Sequence, residues 1–486
     1  MKKNLLALVL CMGFGFITAQ AADPKTDSFN YPDRMDGKYS LKNNWIFSST
    51  EGNYSSGADL IAPANSTRSM VSKDGKLYFS SRNGGNKLIE VDGKTGKKIR
   101  DINLSANAFT YLGKTKDGKN DSTWTTGLAC NDIQKDAAGN LLVCNLLTSA
   151  SGVFQIWRVN PQDGSAVLVL HTVPKVNNSL GDEAKVRFDA FGVFGDLSKD
   201  GYILAQNASE MNTFRWDVTD GKADPEASIF DIDVSETSYF KGLTNPGSAP
   251  RVYPISDTHY YMDGNTTLVT LLQMDTDAGK ATVADGFYNK PSALFDSITP
   301  PVADPKEKWE MNQGHNGMMN FQVGDQHFVV MAATNTAKAP ASSFRLFKYA
   351  NKNKAFSGLD CLWTFPAAGM GATSNAYRTA VTNVEVNGNK ATIYLYVGEN
   401  GYASYEFTVK DGNNVAQLNN DAVKVSVKGK TVELSLEVAS LLVYSASGAL
   451  VTSAQHVSEI RLESGMYLIK ATTYAGEIAI HKVVVR

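Results

Sequence analysis

Short apolar runs joined by tight turns recur along most of the chain at nearly even spacing. Ser69–Ser72 leads through Asp74-Gly75 into Leu77–Ser80, and Cys130–Gln134 leads through Ala138-Gly139 into Leu141–Asn145. Phe191–Leu197 passes through Asp200-Gly201 into Tyr202–Ala205, and Val252–Ile255 passes through Ser256-Asp257 into His259–Met262. Met318–Val323 turns at Gly324-Asp325 into His327–Met331, and Val381–Val386 turns at Gly388-Asn389 into Ala391–Val397. Asp-Gly and Gly-Asn between apolar runs mark hairpins, because the turn needs positive φ. The turns at 75, 139, 201, 257, 324 and 388 lie 56 to 67 residues apart. Six such units predict a repeat protein.

Each hairpin is followed by a third strand and usually a fourth. Leu88–Val91 and Lys98–Leu104 follow the first, and Phe154–Val159 and Ala166–Leu170 the second. Thr213–Val218 and Ala227–Ile232 follow the third, Leu268–Met274 and Ala281–Ala284 the fourth, and Phe344–Tyr349 and Cys361–Phe365 the fifth. The sixth unit supplies Tyr402–Val409 as its third strand. Its fourth is expected from the other end of the chain, at Asn44–Ser48, because Trp45-Ile46-Phe47 resembles Trp363-Thr364-Phe365. No segment keeps a 3.6-residue apolar period over three turns. Four antiparallel strands per unit, repeated radially, predict an all-β fold, a six-bladed β-propeller; a solenoid is the alternative. From about Asp421 the pattern changes to seven short strands: Val423–Val427, Thr431–Leu436, Leu441–Ser445, Leu450–Ala454, Ile460–Leu462, Met466–Thr472 and Ile478–Val485. They predict a small C-terminal β-sandwich. The expected organisation is 1–21, a signal peptide; 22–420, the propeller; and 421–486, the sandwich.

The signal peptide is read from Lys2 and Lys3, the apolar run Leu5 to Ala19, and Ala19-Gln20-Ala21, with cleavage before Ala22. The run is too short to span a bilayer, and no later segment is apolar enough, so no transmembrane segment is expected after its removal. The expected destination is the periplasm, the outer-membrane surface or the extracellular space. The leader holds two of the 47 Lys+Arg and none of the 49 Asp+Glu, leaving 45 basic against 49 acidic residues. That balance excludes nucleic acid as the main partner. Cys130, Cys144 and Cys361 remain after export. A Cys130–Cys144 disulfide and buried free thiols both stay open, with the hairpin register about two residues off for a bridge.

The tail carries a family resemblance. Val443-Tyr444 through Gly448, Ile460-Arg461-Leu462, Ser464-Gly465-Met466-Tyr467-Leu468-Ile469 and the terminal His481-Lys482-Val483-Val484-Val485 resemble the C-terminal sorting domain of type IX secretion cargo in Bacteroidetes-type bacteria. Such domains often open with Asn-Pro, and Gln417–Val423 has no proline. The resemblance implies a cell-surface destination and no activity. The repeat region is similar to the secreted propellers of the same bacterial group.

Candidate chemistry gathers where innermost strands begin. Arg68, Asn131, Asp132, Asp189, Arg251, His315, Asn316 and Arg378 recur in phase with the repeat. Arginines around one axis predict a well for a carboxylate, sulfate or phosphate at the channel mouth, with Arg68, Asn131, Asp132, Arg251, Asn316 and Arg378 as ligand-binding residues. Inner-strand Arg and Asp equally serve by pairing with each other between blades. The leading expectation is a binding or interaction module whose ligand is an anionic glycan, a peptide or a surface protein. A glycan hydrolase or lyase is the first alternative, with His315 and Asp189 or Asp132 as acid and base. A ligand-free scaffold, its channel plugged by side chains, is the second. No cofactor is implied, and no Gly-x-Ser-x-Gly elbow or phosphate-binding P-loop occurs. The histidines at 171, 259, 315, 327, 456 and 481 lack zinc spacing, so no metal site is expected. Asp275–Gly279 and Asp217–Asp220 resemble fragments of calcium loops but read more simply as turns. The aromatics Tyr54, Tyr111, Trp124, Tyr239, Phe240, Tyr288 and Trp309 fall in loops, where they either cap cores or offer sugar-stacking surfaces.

Overall fold

The chain was analysed as a computed structural model. The structure describes residues 23–35, 37–54, 66–114, 121–174, 185–235, 240, 242–264, 267–286, 317–333, 342–349, 360–371, 380–410, 422–446, 448–474 and 478–486. His315, Asn316, Arg378, Tyr239, Tyr288, Trp309 and the expected signal peptide of residues 1–21 lie outside them. The described residues are all-β, and among them no helix is long and apolar enough to cross a membrane. The chain divides into two compact units between Thr408 and Val409.

The first unit is built from antiparallel groups of four strands. The first sheet holds Thr67–Lys73, Lys76–Ser81, Lys87–Asp92 and Lys98–Asn103, and the second Asp132–Lys135, Leu141–Cys144, Phe154–Val159 and Ala166–Thr172. The third group is Gly192–Gly195, Gly201–Gln206, Asn212–Thr219 and Ser228–Ile232, with the short Lys222–Ala223 on its third strand. The fourth is Arg251–Pro254, His259–Gly264, Thr267–Asp275 and Lys280–Gly286. These two groups merge, because their outer strands pair in parallel at Asp231–Lys280 and Ile232–Ala281. Met318–Val323, Gln326–Ala333, Ser343–Tyr349 and Asp360–Phe365 form the fifth sheet. Ala380–Asn387, Lys390–Val397 and Gly401–Val409 form the sixth, and its outer strand is Tyr39–Ser48. The hairpins turn where small residues accept positive φ: Asp74 and Gly75 sit at 52° and 72°, and Gly388 at 61°.

The innermost strands follow one another in a closed cycle. Thr67–Lys73 lies beside Asp132–Lys135, that strand beside Gly192–Gly195, and that one beside Arg251–Pro254. The Met318 amide donates to the Tyr253 hydroxyl at 3.1 Å, and Met318–Val323 lies beside Ala380–Asn387, which returns to Thr67–Lys73. The arrangement is propeller-like. Apolar side chains fill the spaces between neighbouring sheets, as with Leu142, Phe154, Phe214 and Trp216 between the second and third. Tyr54 and Phe240, both loop aromatics, are buried in such cores.

The seam between the sixth and first sheets is aromatic. Trp45, Phe47, Phe79, Tyr396 and Tyr402 share one core, with the Phe47 and Tyr402 rings stacked 5.0 Å apart. Each polar tip finds a backbone acceptor: Trp45 Nε1 donates to Gly93 O at 3.0 Å, Tyr402 to Gly96 O at 2.8 Å and Tyr396 to Thr67 O at 2.7 Å. The seam therefore gains the burial of large rings without stranding their donors.

Cys130, Cys144 and Cys361 are free and buried. Cys144 stands opposite Asp132, so Cys130 is two positions out of register with it. Burial pushes the Cys130 thiol up to about 12, which leaves it inert at neutral pH.

The C-terminal unit departs from the expected strand count. Its strands are Val425–Lys428, Thr431–Ser445, Leu450–Arg461, Gly465–Thr472 and Ile478–Val485, five where seven were expected. Thr431–Ser445 and Leu450–Arg461 each run through a predicted break. The reason is that Glu437–Ser440 and Gln455–Glu459 hold no Gly, Pro, Asn or Asp to reverse the chain. The irregularities are a register shift between Glu433 and Val438 and a positive φ of 54° at His456. One core, including Val432, Leu441, Val443, Ile469 and Val483, holds the unit.

Two glycines separate backbone strain from seam packing. Gly401 has φ 125°, and a Cβ there would overlap the Phe47 carbonyl oxygen on the pairing strand. Gly75 also has positive φ, but a Cβ there meets nothing. In chemical denaturation Gly401→Ala is expected to lose about 3 kcal/mol and Gly75→Ala about 1 kcal/mol. Equal losses would mean that Tyr39–Ser48 yields without cost.

Candidate functional site

The first strands of the closed cycle begin at one end of its axis, and charged side chains meet there. Arg68 opens the first sheet, Asn131 and Asp132 the second, Asp189 precedes the third and Arg251 opens the fourth. All five are buried, at 6% exposure or less. Antiparallel pairing returns the chain to this same end between second and third strands and at each crossover to the next sheet.

Two linked clusters make up the network. In one, Arg187 Nε and Nη2 fork onto the two Asp189 oxygens at 2.7 and 2.8 Å, and Arg68 Nη1 lies 3.5 Å from Asp189. Asn131 Oδ1 accepts from Arg68 at 3.2 Å and from Arg82 at 2.9 Å, while its amide donates to Asp189 O at 2.5 Å. In the other, Arg251 Nη1 donates to Asp132 Oδ1 at 2.8 Å, and Arg251 Nη2 to the Arg68 carbonyl at 3.3 Å. Asp132 Oδ2 accepts from the Phe191 amide at 3.2 Å and Gln134 Nε2 at 3.0 Å. The fourth sheet neighbours neither the first nor the second in the cycle. Arg251 therefore reaches across the axis to Asp132.

Asp263 stands directly opposite Arg251 in the hairpin register, yet the Arg251 side chain turns away to Asp132. Both Asp263 oxygens are buried, and among the described residues no side chain donates to them. Burial raises its carboxyl well above the ordinary carboxylate range; the Arg251 charge and nearby backbone N–H groups oppose that more weakly. For Arg251, burial acts to lower the guanidinium, and the charges of Asp132, Tyr253 and Asp263 together outweigh it, so its proton is held more tightly than usual.

The structure thus gathers Arg68, Asn131, Asp132, Asp189 and Arg251 in one place and joins Arg82, Arg187 and Asp263 to them. Arg187 had a signal in its position two residues before Asp189. Asp263 had one in the hairpin about Ser256-Asp257, which sets it across from Arg251. Exposure within the network is uneven. The Asp132 and Asp189 side chains are sealed at 0%, whereas the Arg187 side chain is 27% exposed and Arg82 is half-buried. The presumed calcium-loop fragments lie elsewhere: Asp275 accepts from the amides of Asp277 and Ala278 in a turn, and Asp217 pairs with Arg215.

The folded-state value of Asp263 lies above its ordinary 3.8, so the folded chain holds a proton that the unfolded chain releases. Stability on this account falls as pH rises from 3.8 towards the raised value. Asp263→Asn is expected to be more stable than the parent by about 1–3 kcal/mol at pH 8, with the gain vanishing below pH 3.8. Urea unfolding across pH checks this; destabilisation at pH 8 would assign the Asp263 charge to balancing Arg251. Arg251→Met strands Asp132 and is expected to lose about 3–5 kcal/mol in the same experiment.

No family model matches the chain, and no curated protein matches it. Among solved structures, the chain is similar to a DUF4623 family protein from Bacteroides eggerthii DSM 20697, at 12% identity and TM-score 0.49, over 80% of this chain and 87% of that one. It is also similar to U3-55K, at 10% identity and TM-score 0.39 over 72% and 97%, and to the RRP9 WD40 repeats, at 11% and 0.38 over 75% and 99%.

Proposed function

We propose that this chain is an exported six-bladed β-propeller with a C-terminal sorting-like β-sandwich, and that it works as a binding module at the cell surface. Its ligand carries an anionic group, a carboxylate or sulfate on a glycan or an acidic peptide, held at the axial mouth. The basic start and apolar run of residues 1–21 support export to the periplasm, outer-membrane surface or extracellular space.

The observation that carries the reading is the uneven exposure of the axial network. Its carboxylates are sealed, and among the described residues of the network those that reach solvent are the guanidinium-bearing Arg82 and Arg187. An approaching ligand meets cationic donors backed by a rigid, internally paired base. Arg251 is paired across the axis with Asp132, so in this reading the ligand sits on the mouth and not within the ring.

Calorimetric titration with oligogalacturonate, a sulfated hexasaccharide, a poly-glutamate peptide and neutral maltohexaose tests the reading. Binding is expected for an acidic probe and not for maltohexaose, weakening as salt rises. Arg82→Gln is expected to lower the affinity about tenfold or more. An unchanged melting temperature in that variant separates lost recognition from lost folding. Equal binding of neutral and acidic probes, or an Arg82→Gln affinity matching the parent, would contradict it.

A further inference from the structure

The C-terminal sheet buries one face and leaves an apolar surface on the other. Val443, Ile469, Val483 and Val485 enter the core, so the alternate positions Leu442, Tyr444, Met466, Leu468 and Val484 share the opposite face. Register makes that face continuous. Tyr444 stands opposite both Leu450 and Leu468, Leu468 opposite Lys482, and Met466 opposite Val484. Leu450, Met466, Leu468 and Val484 are 40–56% exposed. An antiparallel sheet packed on one side ordinarily turns polar residues to solvent on the other. Clustered exposed apolar side chains of this kind mark an interaction surface.

Among the described residues, the cross-strand pairs of this face carry charge of one sign. Lys470 stands opposite Leu442 and Ile480, Lys482 stands opposite Leu468, and none of these pairs holds a carboxylate. Among the described acidic residues of the unit, Glu433 pairs with Lys428, Glu463 with Lys430, and Glu437 accepts from the Tyr474 hydroxyl. A second copy laid face to face would bring lysines towards lysines. The lysines also weigh against a protein partner, because such interfaces are depleted of Lys. Lysines whose aliphatic stems lie along apolar neighbours, with a tyrosine beside them, match the boundary between hydrocarbon and anionic headgroups.

We propose that this face seats the C-terminal unit on an anionic lipid surface. Leu450, Met466, Leu468 and Val484 enter the headgroup–acyl boundary, and Lys470 and Lys482 lie at the level of the headgroup charges. The assignment is independent of the axial mouth, which lies in the other unit of the chain.

Flotation of the exported form, residues 22–486, with vesicles tests it. Vesicles of phosphatidylglycerol and phosphatidylcholine in equal parts are expected to carry the protein, and pure phosphatidylcholine to carry much less. Binding should fall as salt rises from 50 to 500 mM. Lys470→Gln and Lys482→Gln are each expected to reduce partitioning about fivefold at low salt. Leu468→Asn with Val484→Asn, at exposed positions, should abolish it while the melting temperature stays near the parent's. Failure to float with the anionic vesicles would overturn the proposal, as would undiminished flotation of the Leu468→Asn, Val484→Asn variant. A loss confined to Arg82→Gln would also overturn it, by assigning vesicle binding to the axial mouth.

Discussion

An open sheet edge at the junction of the last and first sheets is the constraint on which the first unit depends. The sixth sheet receives three strands from residues 380–409, and its outer strand comes from Tyr39–Ser48, immediately upstream of the first sheet. Ring closure thus ties the two ends of the unit together by backbone pairing. The aromatic seam makes the tie specific, since Trp45, Tyr396 and Tyr402 all place their donors on backbone carbonyls of the first sheet and the residues beside it. The parallel contact between Ser228–Ile232 and Lys280–Gly286 covers two further outer edges in the same manner.

A closed cycle brings the starts of its innermost strands together, and this is why buried charge collects at one end of the axis. Arg251 spans sheets that are not neighbours, so its pair with Asp132 exists only once the ring is formed. Ion pairs sealed this deeply add little net stability over an apolar filling, but breaking one leaves an unpaired buried charge. The network therefore favours the correctly closed arrangement over partly assembled ones. The same closure seals Asp263 in the core, and the described members of the network that reach solvent, Arg82 and Arg187, are cationic.

Local rules made much of this visible in the sequence. Asp74-Gly75 and Gly388-Asn389 announce hairpins because few other residues accept their backbone angles, and Trp45 and Trp363 mark outer strands that share a pattern. Arg68, Asn131, Asp132, Asp189 and Arg251 could be grouped because each opens or precedes a first strand. Their partners could not be read, since which arginine reaches which aspartate depends on the ring's diameter and order. Arg82 follows a second strand and has no repeat-phased mark at all. In the tail, short apolar runs looked like separate strands, whereas register shifts without turn residues keep Thr431–Ser445 and Leu450–Arg461 continuous. Local hydrophobicity does not distinguish a bulge from a chain reversal.

Native-state hydrogen exchange, followed by peptide, tests the closure most directly. If Tyr39–Ser48 holds the ring, its amides should exchange only with the slow, cooperative opening that also exposes Lys390–Val397 and Thr67–Lys73. Exchange of Tyr39–Ser48 far ahead of those strands, with the other sheets still protected, would contradict the account, because the ring would then persist without its closing strand.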